Sequence, residues 1–236
     1  MFFSDIHNHL LYNTDDGAKS FDEMVKMVSA AYNGGTRLIC ATPHFAPSDF
    51  GNNSLNAESA FNELSAYCKE NYKDLTLLLG NELFCDGNEV QWLKEGYCRT
   101  LNNTRYVLAE YPFPEKEKVI IKSLDAILCA GYVPIIAHAE RYNNLSLEAI
   151  RRLKEDGVLV QMNVKNYKTL DIGLNLRIKR LLSNRLVDFI SSDAHNLLTR
   201  PPLMGEYYEK ISQKYGASYA ENIFCTNAKR LLTEEK

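Results

Sequence analysis

The chain is sparing with histidine, tryptophan and paired cysteine: 236 residues carry five histidines, one tryptophan and six cysteines. No two cysteines form a C-x-x-C pair, which removes a thiolate metal cage and a dithiol redox motif. Cys40, Cys68, Cys85, Cys98, Cys129 and Cys225 are therefore expected as reduced core or surface residues of a cytoplasmic protein. No stretch approaches the ~18 apolar residues of a membrane span. The start, Met-Phe-Phe-Ser-Asp, lacks the basic opening and long apolar core of a signal peptide. The formal charge of −3, with Lys and Arg scattered rather than striped, argues against a nucleic-acid surface. There is no Gly/Ser linker, repeat or low-complexity segment, so residues 1–236 are expected to form a single domain.

With 45% hydrophobic residues the chain can bury a substantial core. Short β-rich runs alternate with amphipathic helical patterns along its length. The strands are expected at Met1–Ile6, Arg37–Ala41, Thr76–Leu79, Arg105–Ala109, Val133–Ala137, Val158–Met162 and Leu186–Ile190. Helices are expected over Ser20–Asn33, Asn56–Glu70, Lys116–Ala130, Ser146–Glu155 and Leu174–Ser183, with two more at Leu203–Tyr215 and Ser218–Leu232. Ser20 with Glu23 reads as a capping box, and Gly34-Gly35 as a stop. Alternating β and α implies a parallel sheet with right-handed crossovers. Seven such units fit a closed or nearly closed α/β barrel better than an open sheet, with two helices following the last strand. No G-x-G-x-x-G follows the first strand, so a Rossmann dinucleotide site is not indicated.

Each histidine follows a short apolar run. The segments are D-I-H-N-H (His7, His9), A-T-P-H (His44), I-I-A-H (His138) and S-S-D-A-H (His195). Carboxylates keep them company at the same ends: Asp15-Asp16-Gly17 after strand one, Glu82 after strand three, Glu110 after strand four and Asp193 after strand seven. Asn163 follows strand six. Barrel enzymes gather their reactive groups at the carboxyl ends of strands, where the loops converge. Taken singly, each has an ordinary alternative. Asp-Asp-Gly suits a turn, Pro43-His44 can simply end a strand, and Glu82 and Glu110 could lie on the surface. The coincidence is what points to metal, because Asp and Glu are depleted from strands and their edges.

Asp16, Glu82, Glu110 and Asp193 with five neutral imidazoles make nine ligands, too many for one ion and enough for two or three. Mixed N/O ligation without thiolate suits Mn, Fe or Zn better than Mg, and manganese is the leading expectation. Three divalent ions against four carboxylates leave a positive pocket suited to a phosphate monoester. Arg141 and Arg200 follow the same strand ends, and their guanidinium forks could hold phosphate oxygens.

The motifs D-I-H-N-H-L, T-D-D-G-A-K-S, A-T-P-H, N-E-L, A-E-Y, I-A-H-A-E-R-Y and S-S-D-A-H-N-L-x-x-R-P-P span residues 5 to 202. They resemble the PHP superfamily, and more closely the bacterial protein-tyrosine phosphatases of capsule and exopolysaccharide operons, the CpsB/CapC group. The resemblance implies a distorted (β/α)7 TIM-like barrel with parallel strands and C-terminal helices, and His7, His9, Asp16, His44, Glu82, Glu110, His138, Asp193 and His195 as ligands of a trinuclear centre. It implies Arg141 and Arg200 as catalytic, substrate-binding phosphate contacts. A sketch of the ligation puts His7, His9 and Asp193 on one ion and Asp16, His44 and His195 on a second. Glu110 and His138 take a third, and Glu82 bridges.

The activity expected is hydrolysis of phosphotyrosine by metal-activated water, with no phosphocysteine. A cysteine phosphatase needs Arg six positions after Cys, and no cysteine here has one; Cys225 and Arg230 come nearest, with four residues between. The resemblance implies as partner an autophosphorylating bacterial tyrosine kinase with a tyrosine-rich tail. The oligomeric state is left open, homo-oligomer included. Competing readings are a small-molecule phosphomonoesterase such as histidinol phosphatase, a PHP-type nuclease, and a non-catalytic binding module on the same fold. The loops at Phe45–Leu55 and Tyr111–Glu115 are expected to shape substrate choice.

Overall fold

Side-chain alternation along the strands sorts the core into an inside and an outside. In β2 (Thr36–Ala41), Leu38 and Cys40 pack inward with Ile6, Leu108 and Ile135, while Ile39 and Ala41 face helices. The period of two of an extended chain requires this division. The structure, a computed structural model, describes residues 2–51, 53–165 and 170–234. Met1 of the first expected strand and Asn52 of the 45–55 loop lie outside the described residues.

Besides β2, the strands are β1 (Phe3–Asp5), β3 (His44–Phe45), β4 (Thr76–Leu79), β5 (Glu82–Phe84), β6 (Tyr106–Glu110), β7 (Val133–Ile136), β8 (Leu159–Asn163) and β9 (Phe189–Ser191). All pairings between them are parallel. They form a three-stranded sheet β1-β2-β4 and a six-stranded sheet β3-β5-β6-β7-β8-β9. β3 continues the line of β2, and β5 that of β4, so the ring has the seven positions expected.

The two interruptions correct the simpler expectation of seven unbroken strands. Pro43 lacks the N–H a ladder needs. At Gly80 a Cβ would lie 2.6 Å from Leu101 Cδ2, because the 3-10 turn Leu101–Asn103 wedges in beside β4. Only a residue without a side chain allows that approach. β9 also starts later than expected: Arg185 takes a left-handed φ of 57° and Asp188 accepts from Val160 N at 2.9 Å.

The ring closes between β9 and β1. Asn8 bridges Ala194, Asp193 N donates to His7 O at 2.8 Å, and His9 N donates to Ala194 O at 2.8 Å. Below them the buried Asp5 carboxylate accepts from Ser192 N (3.0 Å) and Ser192 Oγ (2.6 Å).

The helices are α1 (Phe21–Asn33), α2 (Pro47–Phe50), α3 (Ser54–Asn71), α4 (Glu89–Lys94), α5 (Glu117–Cys129), α6 (Leu147–Glu155), α7 (Ile172–Ser183) and α8 (Gly205–Tyr215). α9 (Ala217–Glu221) runs on through a π-helical turn, the short α10 (Asn227–Lys229) and a second π-helical turn, Arg230–Glu234. Ser20 caps α1 by accepting from Glu23 N, while Glu23 returns to Lys19 N rather than to Ser20. Met24, Met27, Val28 and Ala31 form the buried stripe of α1, each large side chain worth about 1.5–3 kcal/mol of burial. α2 and α4 were not expected. At the foot of the barrel Ala228, Leu231 and Leu232 join the inward strand residues, so the C-terminal helical segment plugs it. The opposite, carboxyl end of the strands remains for the site.

Candidate metal centre

The backbone aims the donors before any side chain meets another. His7 and His9 follow β1 two residues apart and so lie on one side of it. His138 and Asp193, just past β7 and β9, adopt left-handed φ values of 33° and 51°. Such values are costly for residues other than glycine and cluster at functional sites. His44 and Glu82 open β3 and β5 and sit opposite one another in their register.

All nine expected donors converge. Glu82 is the hub. Its Oε2 lies 3.1 Å from His7 Nε2, 3.2 Å from His9 Nε2 and 3.1 Å from His44 Nδ1, and its Oε1 is 3.1 Å from His138 Nε2. Glu110 stands 3.1 Å from His138 Nε2 and 3.4 Å from His44 Nδ1. Asp16 faces His195 at 3.2 Å and His44 at 3.7 Å. Asp193 Oδ1 is 3.5–3.6 Å from His7, His9 and His195. Among the described residues, three overlapping groups bring their donor atoms within 4.8 Å of one another: His9–Asp16–His44–His195, His7–His9–Glu82 and His44–Glu82–Glu110. Glu82 belongs to two of these groups. The sketch of the ligation differs at His9, which stands with Asp16, His44 and His195 as well as with His7.

The electrostatics suit cations. His7, His9, Glu82, His138, Asp193 and His195 are buried, and clustered buried carboxylates are costly unless countercharged. Burial pushes the Glu82 and Asp193 carboxyls up, but the surrounding imidazoles outweigh it and hold both low. Asp16 is likewise held low, against burial, by His195. Burial alone would lower His138; hydrogen bonds to Glu110 and Glu82 instead lift it to about 10. His138 Nδ1 is a buried nitrogen with no hydrogen-bond partner among the described residues. Imidazoles and carboxylates without a thiolate are a donor set for Mn, Fe or Zn, and the residues present fit such ions.

Beside the donors lies a polar cavity of about 200 Å³ lined by Arg141, Asn163, Lys165, Ser192, Asp193 and Arg200. Arg200 Nη2 is 2.6 Å from Asp193 Oδ1. The Arg141 guanidinium lies 4.7 Å from the centre of the Phe113 ring. The two expected arginines thus border one anion-sized space with a third cation, Lys165.

Residues 3–233 match the family model described as capsular polysaccharide synthesis, CpsB/CapC. The chain belongs to the CpsB/CapC family. It is 30% identical to the tyrosine-protein phosphatase CpsB of Streptococcus agalactiae serotype III (strain NEM316), covering 97% of each chain. It is 29% identical to the tyrosine-protein phosphatase YwqE of Bacillus subtilis (strain 168), over 98% of this chain and 92% of that one. A crystal structure from the work on YwqE of B. subtilis and CpsB of Streptococcus pneumoniae, described as unique metal-dependent tyrosine phosphatases, superposes with a TM-score of 0.86. That chain is 28% identical, and the match covers 98% of this chain and 95% of that one.

In this CpsB/CapC chain the donors are held from behind by further polar groups: Asp15 and Asn163, noted at strand ends without a role, and Gln161 and Asp5, which were not expected. The side chain of Asp15, the neighbour of the chosen Asp16, is closed off from solvent; its Oδ2 is 2.7 Å from His9 Nδ1 and accepts from His44 N at 2.9 Å. Gln161 Oε1 lies 3.1 Å from His7 Nδ1 and accepts from His138 N at 2.6 Å. Asn163 donates to Asp193 Oδ2 at 2.5 Å. Asp5 holds Ser192. Gln161 lies between Val160 and Met162 in a buried strand, and a buried polar residue in such a run is the signal that could have found it; Asp5, with Ser4 before it, gives a weaker one.

Proposed function

We propose that the protein is a metal-dependent protein-tyrosine phosphatase. The observation that carries the reading is the convergence of nine N/O donors beside a cavity bordered by Arg141, Arg200 and Lys165, in a chain whose relatives are named tyrosine phosphatases. His7, His9, Asp16, His44, Glu82, Glu110, His138, Asp193 and His195 would hold two or three divalent ions, manganese first among them. Ions bound there supply Lewis-acid polarisation of the phosphoryl group and a water nucleophilic at neutral pH.

The chain's own groups do the rest. Arg141 and Arg200 orient the phosphate and stabilise its equatorial oxygens as charge spreads. Lys165 adds positive potential at the cavity rim. Tyrosinate is a good leaving group, so no strong general acid is required. All five imidazoles face the carboxylate cluster, and none is set aside for proton transfer. The four buried thiols offer no competing nucleophile. Burial raises Cys40, Cys85 and Cys98 far above the usual thiol range and Cys68 to about 11, whereas a thiolate nucleophile needs the opposite shift.

The chain works as one domain in the cytoplasm on a phosphotyrosine protein, for which an autophosphorylating bacterial tyrosine kinase is the fitting partner. No helix among the described residues is long and apolar enough to cross a membrane. The test is hydrolysis of a phosphotyrosine peptide with and without chelator, and after thiol alkylation. Chelation should abolish turnover and alkylation should leave it; the reverse pattern would overturn the metal reading.

A further inference from the structure

A second cavity, of about 370 Å³, adjoins the anion space, and Arg141 lines both. Its walls are Phe113, Pro114, Glu115, Tyr142 and the Asn143-Asn144 pair, with Arg141 on the shared side. Phe113 is the unusual member. It is a large apolar side chain left 45% exposed beside a polar site. Its ring stacks on Tyr142 with centroids 4.8 Å apart and planes 12° apart, and lies 5.9 Å from the His138 ring. Tyr142 is itself buried, and its hydroxyl accepts from Tyr111 N at 2.8 Å. The exposed ring therefore stands on a fixed base, within one ring's reach of a metal-donor histidine.

We infer that this cavity is the aryl subsite of the enzyme and that Phe113 is its specificity-determining residue. The inference rests on the phosphatase reading and goes beyond it by naming what distinguishes a tyrosyl from an alkyl phosphate. With the phosphate between Arg141 and Arg200, the group on its ester oxygen is directed past Arg141 into the neighbouring cavity. An aromatic ring there meets Phe113 and Pro114, and aromatic pairs attract in edge or offset geometry at centroid separations of about 4.5–7 Å. A seryl or threonyl ester has no ring to fill the space, so the cavity adds affinity only for the aryl ester. The occupant is thus the phenyl ring of phosphotyrosine, and the Asn143-Asn144 pair lies at the same cavity, where the peptide carrying that ring would pass.

The experiment uses the full chain loaded with manganese. Phenylphosphonate and methylphosphonate, which lack a hydrolysable ester, are titrated calorimetrically into wild type, Phe113→Ala and Phe113→Tyr. Wild type should bind phenylphosphonate about tenfold more tightly or better, Phe113→Ala should lose about tenfold of that preference, and Phe113→Tyr should keep it. Manganese content and far-UV circular dichroism, measured on the same samples, separate loss of the ring from loss of the fold. Equal wild-type affinity for the two phosphonates, or an unchanged ratio in a folded, loaded Phe113→Ala protein, overturns the aryl subsite and leaves the phosphatase reading standing. Binding of neither phosphonate by loaded wild type overturns both.

Discussion

His9 Nδ1 and Asp15 Oδ2 lie 2.7 Å apart, with both side chains closed off from solvent. The pair fixes which ring nitrogen of His9 faces the cluster: with Nδ1 engaged by Asp15, Nε2 is left pointing at Glu82. A carboxylate behind a histidine sets its tautomer and raises its basicity as a ligand.

Asp15→Ala is therefore expected to lower metal affinity by about 10- to 100-fold although every one of the nine donors remains. Competitive titration with a chromogenic chelator would measure it. Wild-type affinity in the variant would mean that the pair serves the fold alone.

Gly17 sits where no side chain fits. A Cβ there would fall 1.9 Å from His9 O and 2.7 Å from His9 Cβ. Gly17→Ala must push the Asp15–Asp16 turn away from His9, at a cost of about 1–3 kcal/mol for overpacking. The expected result is a melting temperature lower by several degrees together with reduced metal content. A variant that melts like wild type would show that the turn yields freely.

Metal and protons compete for the imidazoles. Burial alone would lower His9, but Asp15 and Glu82 outweigh it and hold it well above the usual range; His138 is lifted to about 10. His138 is therefore charged at pH 7 without metal, and a ligating nitrogen must be neutral, so loading should expel protons. Metal affinity should rise with pH between neutrality and about pH 10. The metal-free protein should behave in the opposite sense. A raised histidine stabilises the fold fully below its ordinary value near 6.5, and that contribution is lost as pH rises through about 10. Calorimetric loading in two buffers of different protonation enthalpy would count the protons; identical heats would rule out this linkage.

Arg200 is held by Asp193 at 2.6 Å, through a carboxylate that a bound ion would claim. Loading should free the guanidinium for the substrate. Arg200→Lys keeps the charge but loses the planar fork. It should lower kcat/KM for phosphotyrosine peptide by about 10²-fold with metal content retained. Steady-state kinetics with elemental analysis would decide, and an unimpaired lysine variant would assign Arg200 to structure.

Much of the molecule was legible because local signals agreed with it. Ser20 and Gly34-Gly35 bound α1 as expected. The H-x-H of His7 and His9 stands at a strand end, where period two puts both members on one side; the D-x-H of Asp193 and His195 also follows a strand, but the left-handed turn at Asp193 aims it. Asp15 was not legible. In sequence it is indistinguishable from Asp16, and only the turn of the chain sends one carboxylate inward to His9 and the other toward His44 and His195. The loop Tyr111–Glu115 was expected to shape substrate choice, but within it nothing marks Phe113 as the aromatic that stands 5.9 Å from a histidine ring. The split of two strands was half announced: Pro43 marks one break, but the wedge at Gly80 depends on Leu101, a contact between distant parts of the chain.

Asp5 and Ser192, joined at the seam of the barrel, are 187 residues apart in the chain. Every other strand pairing joins neighbours in the order of the ring. Bringing β9 back to β1 closes the longest loop between any two strands, and such contacts form late because their entropy must be met before they are rewarded. His7 and His9 stand on one lip of that seam, Asp193 and His195 on the other. A chain leaving the ribosome thus exposes its first two imidazoles long before their partners across the seam exist. The complete centre arises only when synthesis has passed residue 195 and the ring has shut, so full occupancy of all its donor groups, rather than of the two made of residues up to 110, would report a finished barrel.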